Sequence, residues 1–184
     1  MRLSNYIRYI YYFNYYRKFK SCGSNVLLSR GGLVIRPEEI EIGNNVFISS
    51  GFRISARNLI IGNNIMIGPN LIIECEDHKY DKIGQDMFSY RNDKVSGKTI
   101  IEDDIWIGAN VTILKNIVIG EGAVIGACSL VKQNIYPYTI NAGIPSKQIR
   151  LRFSLDALKS HLILVQSKYN YDYLVDLYKK EGIL

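Results

Sequence analysis

The feature that most constrains this chain is a six-residue period across residues 101–131. An isoleucine or valine stands at every sixth position, and triplets that are short and polar or rich in glycine follow most of them. An α-helix repeats every 3.6 residues and a strand every two, so neither alone gives this spacing. A strand that restarts in the same phase after each corner does give it. The period therefore predicts a coil with flat sides, stacked turn upon turn.

The same rhythm runs less regularly through the first half of the chain. It begins at Cys22, breaks at residues 36–39, resumes at Ile42, slips by one residue at Arg57 and continues to Ile73. Three sides of six residues make an 18-residue coil. Side chains two apart in a strand share a face, so the residue two before each repeat position also points inward. These inward residues are all aliphatic or small: Val46, Ile65, Leu71, Ile105, Val111, Ile117 and Ala123.

The corners have turn chemistry. Gly-Asn-Asn occurs at 43–45 and 62–64, Gly-Pro-Asn at 68–70 and Gly-Glu-Gly at 120–122. Glycine and asparagine accept positive φ, and proline presets a bend. Residues 76–98 are strongly polar without any period, which predicts a loop inserted at one corner.

Both ends of the chain differ from the repeat. Residues 1–21 are basic and aromatic with apolar residues at helical spacing, which predicts an amphipathic helix. This helix either packs on the coil or a neighbouring subunit, or makes peripheral contact with a membrane through residues 1–20. Leucines at helical spacing after Ser154, a suitable N-cap, predict one or two helices over residues 153–184. The repeat domain is thus expected at residues 22–152.

Composition narrows the setting. The 184 residues suffice for one domain with small appendages. The three cysteines are odd in number and widely spaced, and no secretory leader is visible, which favours a cytoplasmic location, at the inner face of the membrane if the first helix binds lipid. The net charge of +6 is modest and accompanies no recognition motif, so no nucleic-acid partner is expected.

Three motifs lie in or just after the regular stretch: Trp-Ile-Gly at 106–108, Gly-Ala-Cys-Ser at 126–129 and Ala-Gly-Ile-Pro-Ser-Lys at 142–147. Together with the period they resemble the hexapeptide-repeat acyltransferases, in particular the sugar O-acetyltransferase branch that includes galactoside and maltose acetyltransferases. The resemblance implies an all-β core, a left-handed parallel β-helix with a loop insertion, and helices at both ends. It also implies a homotrimer with active sites between subunits. The left-handed sense of the coil is implied by the family alone. The general rule for parallel crossovers would give a right-handed connection.

His78 is the candidate general base. It is one of only two histidines and stands where residues 76–98 leave the coil. An imidazole can take a proton from a hydroxyl near neutral pH, and a nearby carboxylate or backbone carbonyl would fix its tautomer. The resembled family has its catalytic histidine at this position. His161 has no polar cluster near it in the sequence and is predicted to be structural.

The resemblance implies acetyl-CoA as the co-substrate and places it along the coil. The implied contacts are Trp106, Ala109, Ala127, Ser129, Lys132, Lys147 and Arg150. Lys147 and Arg150 suit the nucleotide phosphates. The oxyanion donor is expected within residues 106–109. The chain departs from the family pattern at residues 132–134 and at Ile144, which puts contact details in doubt.

The acceptor site has three candidates, Ser49, Arg57 and Glu76. Ser49 aligns with a family position that touches the sugar. Arg57 either binds an acidic sugar or pairs with Glu74 or Glu76; both alternatives stay open. Cys75, near His78, is interpreted as a small filler of the coil and not as a nucleophile.

The leading hypothesis is therefore an O-acetyltransferase that acts on a sugar hydroxyl in surface polysaccharide or glycolipid synthesis. One alternative is an amino-sugar N-acetyltransferase, which usually carries an extra N-terminal domain. Another is a non-catalytic scaffold in a biosynthetic complex. A metal-dependent carbonic anhydrase on the same coil needs three histidine ligands, so no metal is expected.

Overall fold

The computed structural model describes residues 16–92 and 94–184, and of residues 94 and 95 only the backbone. The chain winds as a three-sided prism, and every full turn adds one short strand to each of three sheets, here called faces A, B and C. All strands within a face are parallel until the last strand of face B.

The strands follow the three faces in rotation. Face A contains β1 (Ser21–Cys22), β4 (Ile40–Ile42), β7 (Leu59–Ile61), β12 (Thr99–Ile101) and β15 (Val118–Ile119). Face B contains β2 (Val26–Leu28), β5 (Val46–Ile48), β8 (Ile65–Ile67), β13 (Trp106–Ile107), β16 (Val124–Ile125), β18 (Thr139–Ala142) and the antiparallel β19 (Lys147–Leu151). Face C contains β3 (Leu33–Ile35), β6 (Arg53–Ser55), β9 (Ile72–Glu74), β14 (Thr112–Leu114) and β17 (Leu130–Val131).

The interior of the prism is the aliphatic core that the period predicts. All the predicted inward residues named above are buried, together with the repeat positions beside them. The strands pair in register, so that Ile48 lies beside Ile67 and Ile67 beside Ile107. Fully burying one such side chain contributes roughly 1.5–3 kcal/mol, so these columns are the main source of stability.

Asparagine ladders run along the corner between faces A and B. Asn45 and Asn64 have φ near +57° and Asp104 has φ of 56°, the left-handed region that these residues tolerate best. The amide of Asn25 donates to Asn45 Oδ1 at 3.0 Å, and that of Asn45 donates to Asn64 Oδ1 at 2.9 Å. The Asn-rich triplets therefore supply both the backbone turn and a hydrogen-bond column that ties successive turns together.

Irregular corners absorb the two breaks in the period. The first, at residues 36–39, contains a 3₁₀ turn at Pro37–Glu39 preceded by Arg36 in the left-handed region, with φ of 58°. The slip after Arg57 is accommodated by Asn58, with φ of 51°. Neither break disturbs the parallel register of the strands on either side.

The inserted residues 76–98 are more ordered at their base than an irregular loop. Strands β10 (Glu76–His78) and β11 (Lys94–Ser96) form an antiparallel hairpin in which Glu76 pairs with Ser96 and His78 with Lys94. The predicted insertion is thus present, and its base is a short hairpin held by backbone pairing, which needs no hydrophobic period in the sequence.

Two helices, α1 (Leu155–Leu164) and α2 (Tyr171–Lys180), follow the coil as predicted. The Ser154 hydroxyl accepts a hydrogen bond from the Ala157 amide and so caps α1. The helices build a second core on the end of the coil from Tyr138, Leu158, Leu162, Leu174 and Tyr178.

The predicted N-terminal helix falls largely on residues 1–15, outside the described residues. The part that is described contacts the first turn of the coil: the Tyr16 hydroxyl donates to the Val26 carbonyl at 2.9 Å, and Phe19 is buried in the core. Within residues 16–92 and 94–184, none of the helices has the length and apolar character needed to cross a membrane.

Candidate active site

His78 ends strand β10 and projects from the hairpin with its side chain exposed. Its Nδ1 lies 2.6 Å from the backbone carbonyl oxygen of Arg91. A carbonyl only accepts hydrogen bonds, so Nδ1 is the donor and carries the proton in the neutral ring. The other nitrogen, Nε2, is then the unprotonated one. The structure thus fixes the tautomer by a backbone carbonyl, one of the partners expected from the sequence.

The segment that supplies this carbonyl is held in place by hydrogen bonds and a cation–π contact of its own. The Ser89 amide and hydroxyl both donate to Asp86, which closes a tight turn and lowers the pKa of that carboxyl. The Arg91 guanidinium lies 4.3 Å from the centre of the Phe88 ring and donates to the Phe88 carbonyl at 3.0 Å. Lys115, on the next turn of the coil, binds Asp77 beside His78 at 2.7 Å.

A cavity of about 390 Å³, the His78 cleft, opens beside the imidazole against face C. Its lining residues are Ile35, Arg36, Arg53, Ser55, Glu74, Glu76, Asp77 and His78. Among the described lining residues only Ile35 is apolar. The cleft therefore suits a ligand that presents many hydrogen-bonding groups.

Glu76 forms a buried ion-pair cluster, the Glu76 clamp, with Arg36 and Arg57. Arg36 Nη2 donates to Glu76 Oε2 at 2.7 Å, and Arg57 Nε donates to Oε1 at 2.6 Å. Arg57 also donates to Glu39 at 3.0 Å. Of the two alternatives for Arg57, the pairing with Glu76 is present in the structure. Both oxygens of the predicted acceptor contact Glu76 already accept from arginines.

Cys75 lies inside the coil and not in the cleft. It is fully buried, its Sγ is 3.2 Å from Thr99 Oγ1, and burial raises the pKa of its thiol. A raised pKa disfavours the thiolate that a nucleophile needs. The position agrees with a small core filler.

The predicted contacts of acetyl-CoA partly share one edge of the prism. Ala109 and Ala127 belong to successive corners between faces B and C, the B–C edge, where Cys128 N donates to Ala109 O at 2.8 Å. The acceptor candidate Ser49 lies on the same edge, two corners before Ala109. Lys132, Lys147 and Arg150 are exposed. Ser129 is different: it is buried, and its hydroxyl donates to Gly126 O and accepts from Gly143 N. Its described hydrogen bonds are therefore those of a structural residue.

Trp106 points outward from face B, as its place in the alternation predicts, and is 54% exposed. It stands in register with Met66, which is also exposed. The His78 hairpin instead leaves the corner between faces C and A. A single chain therefore places His78 and the B–C edge on opposite edges of face C, and Trp106 on a different face.

Five contributors to the site were not predicted from the sequence. Ile35, Arg36, Arg53 and Ser55 line the cleft, and the Arg91 carbonyl orients His78. For Arg36 a signal existed, since the period breaks there. No such signal exists for the other contributors, because their place beside His78 depends on which turns of the coil stack beneath the hairpin.

His161 has acidic neighbours in the fold that its sequence neighbourhood does not show. Its Nε2 is 4.0 Å from Asp104 Oδ2, and it lines a cavity with Glu121 and Arg152. Asp104 stands on a corner of the coil far from α1 in sequence. Within the described residues no set of side chains is arranged to hold a metal ion.

The coil and its three parallel faces define the class of fold, a parallel β-helix. The bacterial transferase hexapeptide (six repeats) family model matches residues 98–133. An Escherichia coli chloramphenicol acetyltransferase is 34% identical, over 80% of this chain and 67% of that protein. The chain belongs to the hexapeptide-repeat acetyltransferases.

Two solved structures are similar. A hexapeptide-repeat acetyltransferase of Vibrio cholerae O1 biovar eltor, complexed with acetyl coenzyme A, superposes with a TM-score of 0.69 at 26% identity, covering 78% of this chain and 76% of that one. A maltose O-acetyltransferase from Clostridium difficile 630 gives 0.64 at 27% identity, covering 74% and 72%. The predicted family and fold class are thereby confirmed.

Proposed function

We propose that this protein is an O-acetyltransferase that moves an acetyl group from acetyl-CoA to a sugar hydroxyl, with His78 as the general base. The observation that carries the proposal is the His78 tautomer: Nδ1 is held by the Arg91 carbonyl at 2.6 Å, and Nε2 is left to accept a proton beside a polar cleft. The similar proteins that are acetyltransferases support the reaction class.

In the proposed reaction the acceptor hydroxyl binds in the His78 cleft. Nε2 takes its proton as the hydroxyl oxygen attacks the acetyl carbonyl carbon and forms a tetrahedral intermediate. The C–S bond then breaks, the acetyl group stays on the acceptor, and the imidazolium returns its proton to the leaving thiolate. The Arg91 carbonyl stabilises the positive ring during this cycle, because it accepts from Nδ1 throughout. A hydrogen-bond donor for the oxyanion is expected within residues 106–109.

Acetyl-CoA is proposed to lie along the B–C edge, against Ala109 and Ala127. Small side chains at these corners leave the backbone open to an extended pantetheine arm. The exposed Lys147 and Arg150 are proposed to bind its phosphates, with Lys132 nearby. One similar structure is complexed with acetyl coenzyme A, which supports this choice of donor.

The cleft favours an uncharged, hydroxylated acceptor. Each carboxylate of its described lining lies within 4.0 Å of a cation: Glu74 near Arg53, Glu76 near Arg36 and Arg57, and Asp77 near Lys115. Paired charges leave little net attraction for an anion. The nearly all-polar lining also favours a sugar over a largely apolar drug, although a chloramphenicol acetyltransferase is among the relatives.

We propose a homotrimer, in which the His78 cleft of one subunit faces the B–C edge of the next. The support is the separation of these two regions on opposite edges of face C within one chain. A cytoplasmic role in surface polysaccharide or glycolipid synthesis, with membrane contact through residues 1–20, belongs to the same proposal. A mass by light scattering that equals one chain would contradict the shared site.

The experiment is an acceptor screen with [¹⁴C]acetyl-CoA and mass spectrometry of the products. The panel contains neutral hexosides, their uronic acids, amino sugars and chloramphenicol. The expected result is one added acetyl group on a neutral sugar, sensitive to mild alkali as an ester is. Transfer mainly to an amine or to chloramphenicol would replace the proposed acceptor, and no transfer to any acceptor would favour a scaffold.

A further inference from the structure

The burial of Glu76 and the conformation of its partner Arg36 both carry a free-energy cost that a merely structural feature would not require. Its side chain is only 4% exposed, and burying a carboxylate requires compensation by paired cations. Arg36, which supplies one of them, has a left-handed backbone with φ of 58°, and its buried Nη1 has no hydrogen-bond partner among the described residues. Conformational strain and a buried unpartnered N–H each oppose folding, and such costs cluster at functional sites.

Glu76 also occupies the point where the coil ends and the hairpin begins. The Cys75 amide donates to the Ser55 carbonyl of the preceding turn at 2.9 Å, and Glu76 makes the first pair of the hairpin with Ser96. His78 is two residues further along the same strand. Side chains two apart share a face, and both line the His78 cleft.

We propose that Glu76 is a positioning residue for His78, anchored from both sides by Arg36 and Arg57. The clamp fixes the start of β10 on the coil, so that His78, roughly 7 Å along the strand, meets the Arg91 carbonyl in one orientation. Arg36 comes from the first turn and Arg57 from the second, so two turns of the coil set the direction in which the hairpin leaves. This inference rests on the proposed role of His78 and extends it to the group that aims the imidazole.

The test compares Glu76→Gln with Glu41→Gln. Both changes remove one carboxylate charge and keep the shape, but Glu41 pairs with Lys20 at 2.8 Å on the exposed side of face A, away from the cleft. We expect Glu76→Gln to lower kcat by roughly 10-fold to 100-fold with the KM for acetyl-CoA unchanged, since a small misplacement of a catalytic group has this effect. Glu41→Gln should leave kcat unchanged.

A second readout does not depend on activity. With only two histidines in the chain, ¹⁵N-histidine NMR resolves the tautomer of each ring. In the wild type His78 should carry its proton on Nδ1, and in Glu76→Gln a mixture with the Nε2-protonated form should appear. The tautomer comparison decides the role of Glu76 even if no acceptor is found and the proposed function fails.

Unchanged kcat and an unchanged tautomer in folded Glu76→Gln would overturn the proposal. If that variant does not fold, Arg57→Gln replaces it, because Arg57 is half-exposed and its loss leaves Arg36 on Glu76. A lower melting temperature of Arg57→Gln with the wild-type tautomer and kcat would show a purely structural clamp. A shifted tautomer and a lower kcat would support positioning.

Discussion

The two histidines have similar charged neighbours, but their rings differ in exposure and in hydrogen bonding. His78 shares its cleft with the buried Glu76 and with Arg36, and His161 shares its cavity with the buried Glu121 and with Arg152. The His78 ring is exposed and held at Nδ1 by the Arg91 carbonyl. The His161 ring packs 4.5 Å from Phe153 and 5.6 Å from Tyr138, and within residues 16–92 and 94–184 its buried Nε2 has no hydrogen-bond partner.

This difference shows that a histidine beside a carboxylate and an arginine is not enough to identify a base. What matters is which ring nitrogen is held and whether the other is open to a ligand. At His78 the unprotonated nitrogen is free to act. At His161 the ring packs against Tyr138 and Phe153.

The largest expected effect comes from removing each histidine in turn. His78→Ala should lower kcat on the order of 10² to 10⁴, the usual contribution of a positioned general base. His161→Gln should keep kcat at the wild-type value, because that ring touches none of the residues of the His78 cleft. Steady-state acetyl transfer to the best acceptor measures both. Equal losses in the two variants would remove the distinction between the regions.

Removing a buried side chain near His161 should lower the free energy of unfolding and leave kcat unchanged. Leu162→Ala removes a buried side chain of the second core and should lower the free energy of unfolding by about 2–5 kcal/mol. The control is Leu164→Ala, which is 81% exposed on the same helix and should change it by less than about 0.5 kcal/mol. Urea unfolding gives both values. A loss of kcat in folded Leu162→Ala would tie the C-terminal helices to the site.

The buried carboxylate of the His161 region depends on a neutral partner. The Tyr138 hydroxyl donates to Glu121, and Tyr138→Phe leaves that buried oxygen without this donor. We expect a loss of about 1–3 kcal/mol by urea unfolding. Tyr173→Phe, at a half-exposed position on α2, is the control and should change stability little. Equal effects of the two changes would show that the Tyr138 hydrogen bond carries no net stability.

The smallest effect is a pH dependence of the second core. Burial raises the pKa of Tyr178, whose hydroxyl donates to the Pro137 carbonyl at 2.8 Å. The folded state then holds this proton more tightly than the unfolded state. The stabilisation is complete below the ordinary tyrosine pKa of about 10 and is lost as the pH rises above it. Melting temperatures between pH 8 and 11 should fall less steeply for Tyr178→Phe, and parallel slopes would contradict this.

Much of the coil was predictable because it depends on local rules. The spacing of Ile101, Ile107 and Ile113 follows from strands of fixed length, and corner residues such as Asn64 follow from the need for positive φ. These rules act within one turn, so a short window of sequence contains them. The position of His78 at the start of the inserted residues was predictable for the same reason, together with the family resemblance.

The contacts between turns were not predictable in the same way. Arg36 meets Glu76 because an irregular corner of the first turn stacks near the third, and nothing local to either residue indicates it. Arg91 presents its carbonyl to His78 only because the hairpin closes. Asp104 meets His161 only because α1 folds back on the coil. Each of these contacts depends on the summed lengths of all the corners between the two residues. One irregular corner is enough to change that sum.

Strand β19 has a consequence for how this protein meets other copies of itself. A stack of parallel strands ends in an open row of amides and carbonyls, onto which a further turn from another molecule can add without limit. At the end of face B the chain reverses and lays β19 antiparallel on β18, and the two helices then pack against the same end of the coil. The antiparallel strand and the helices together therefore hinder the end-to-end association of copies into fibres.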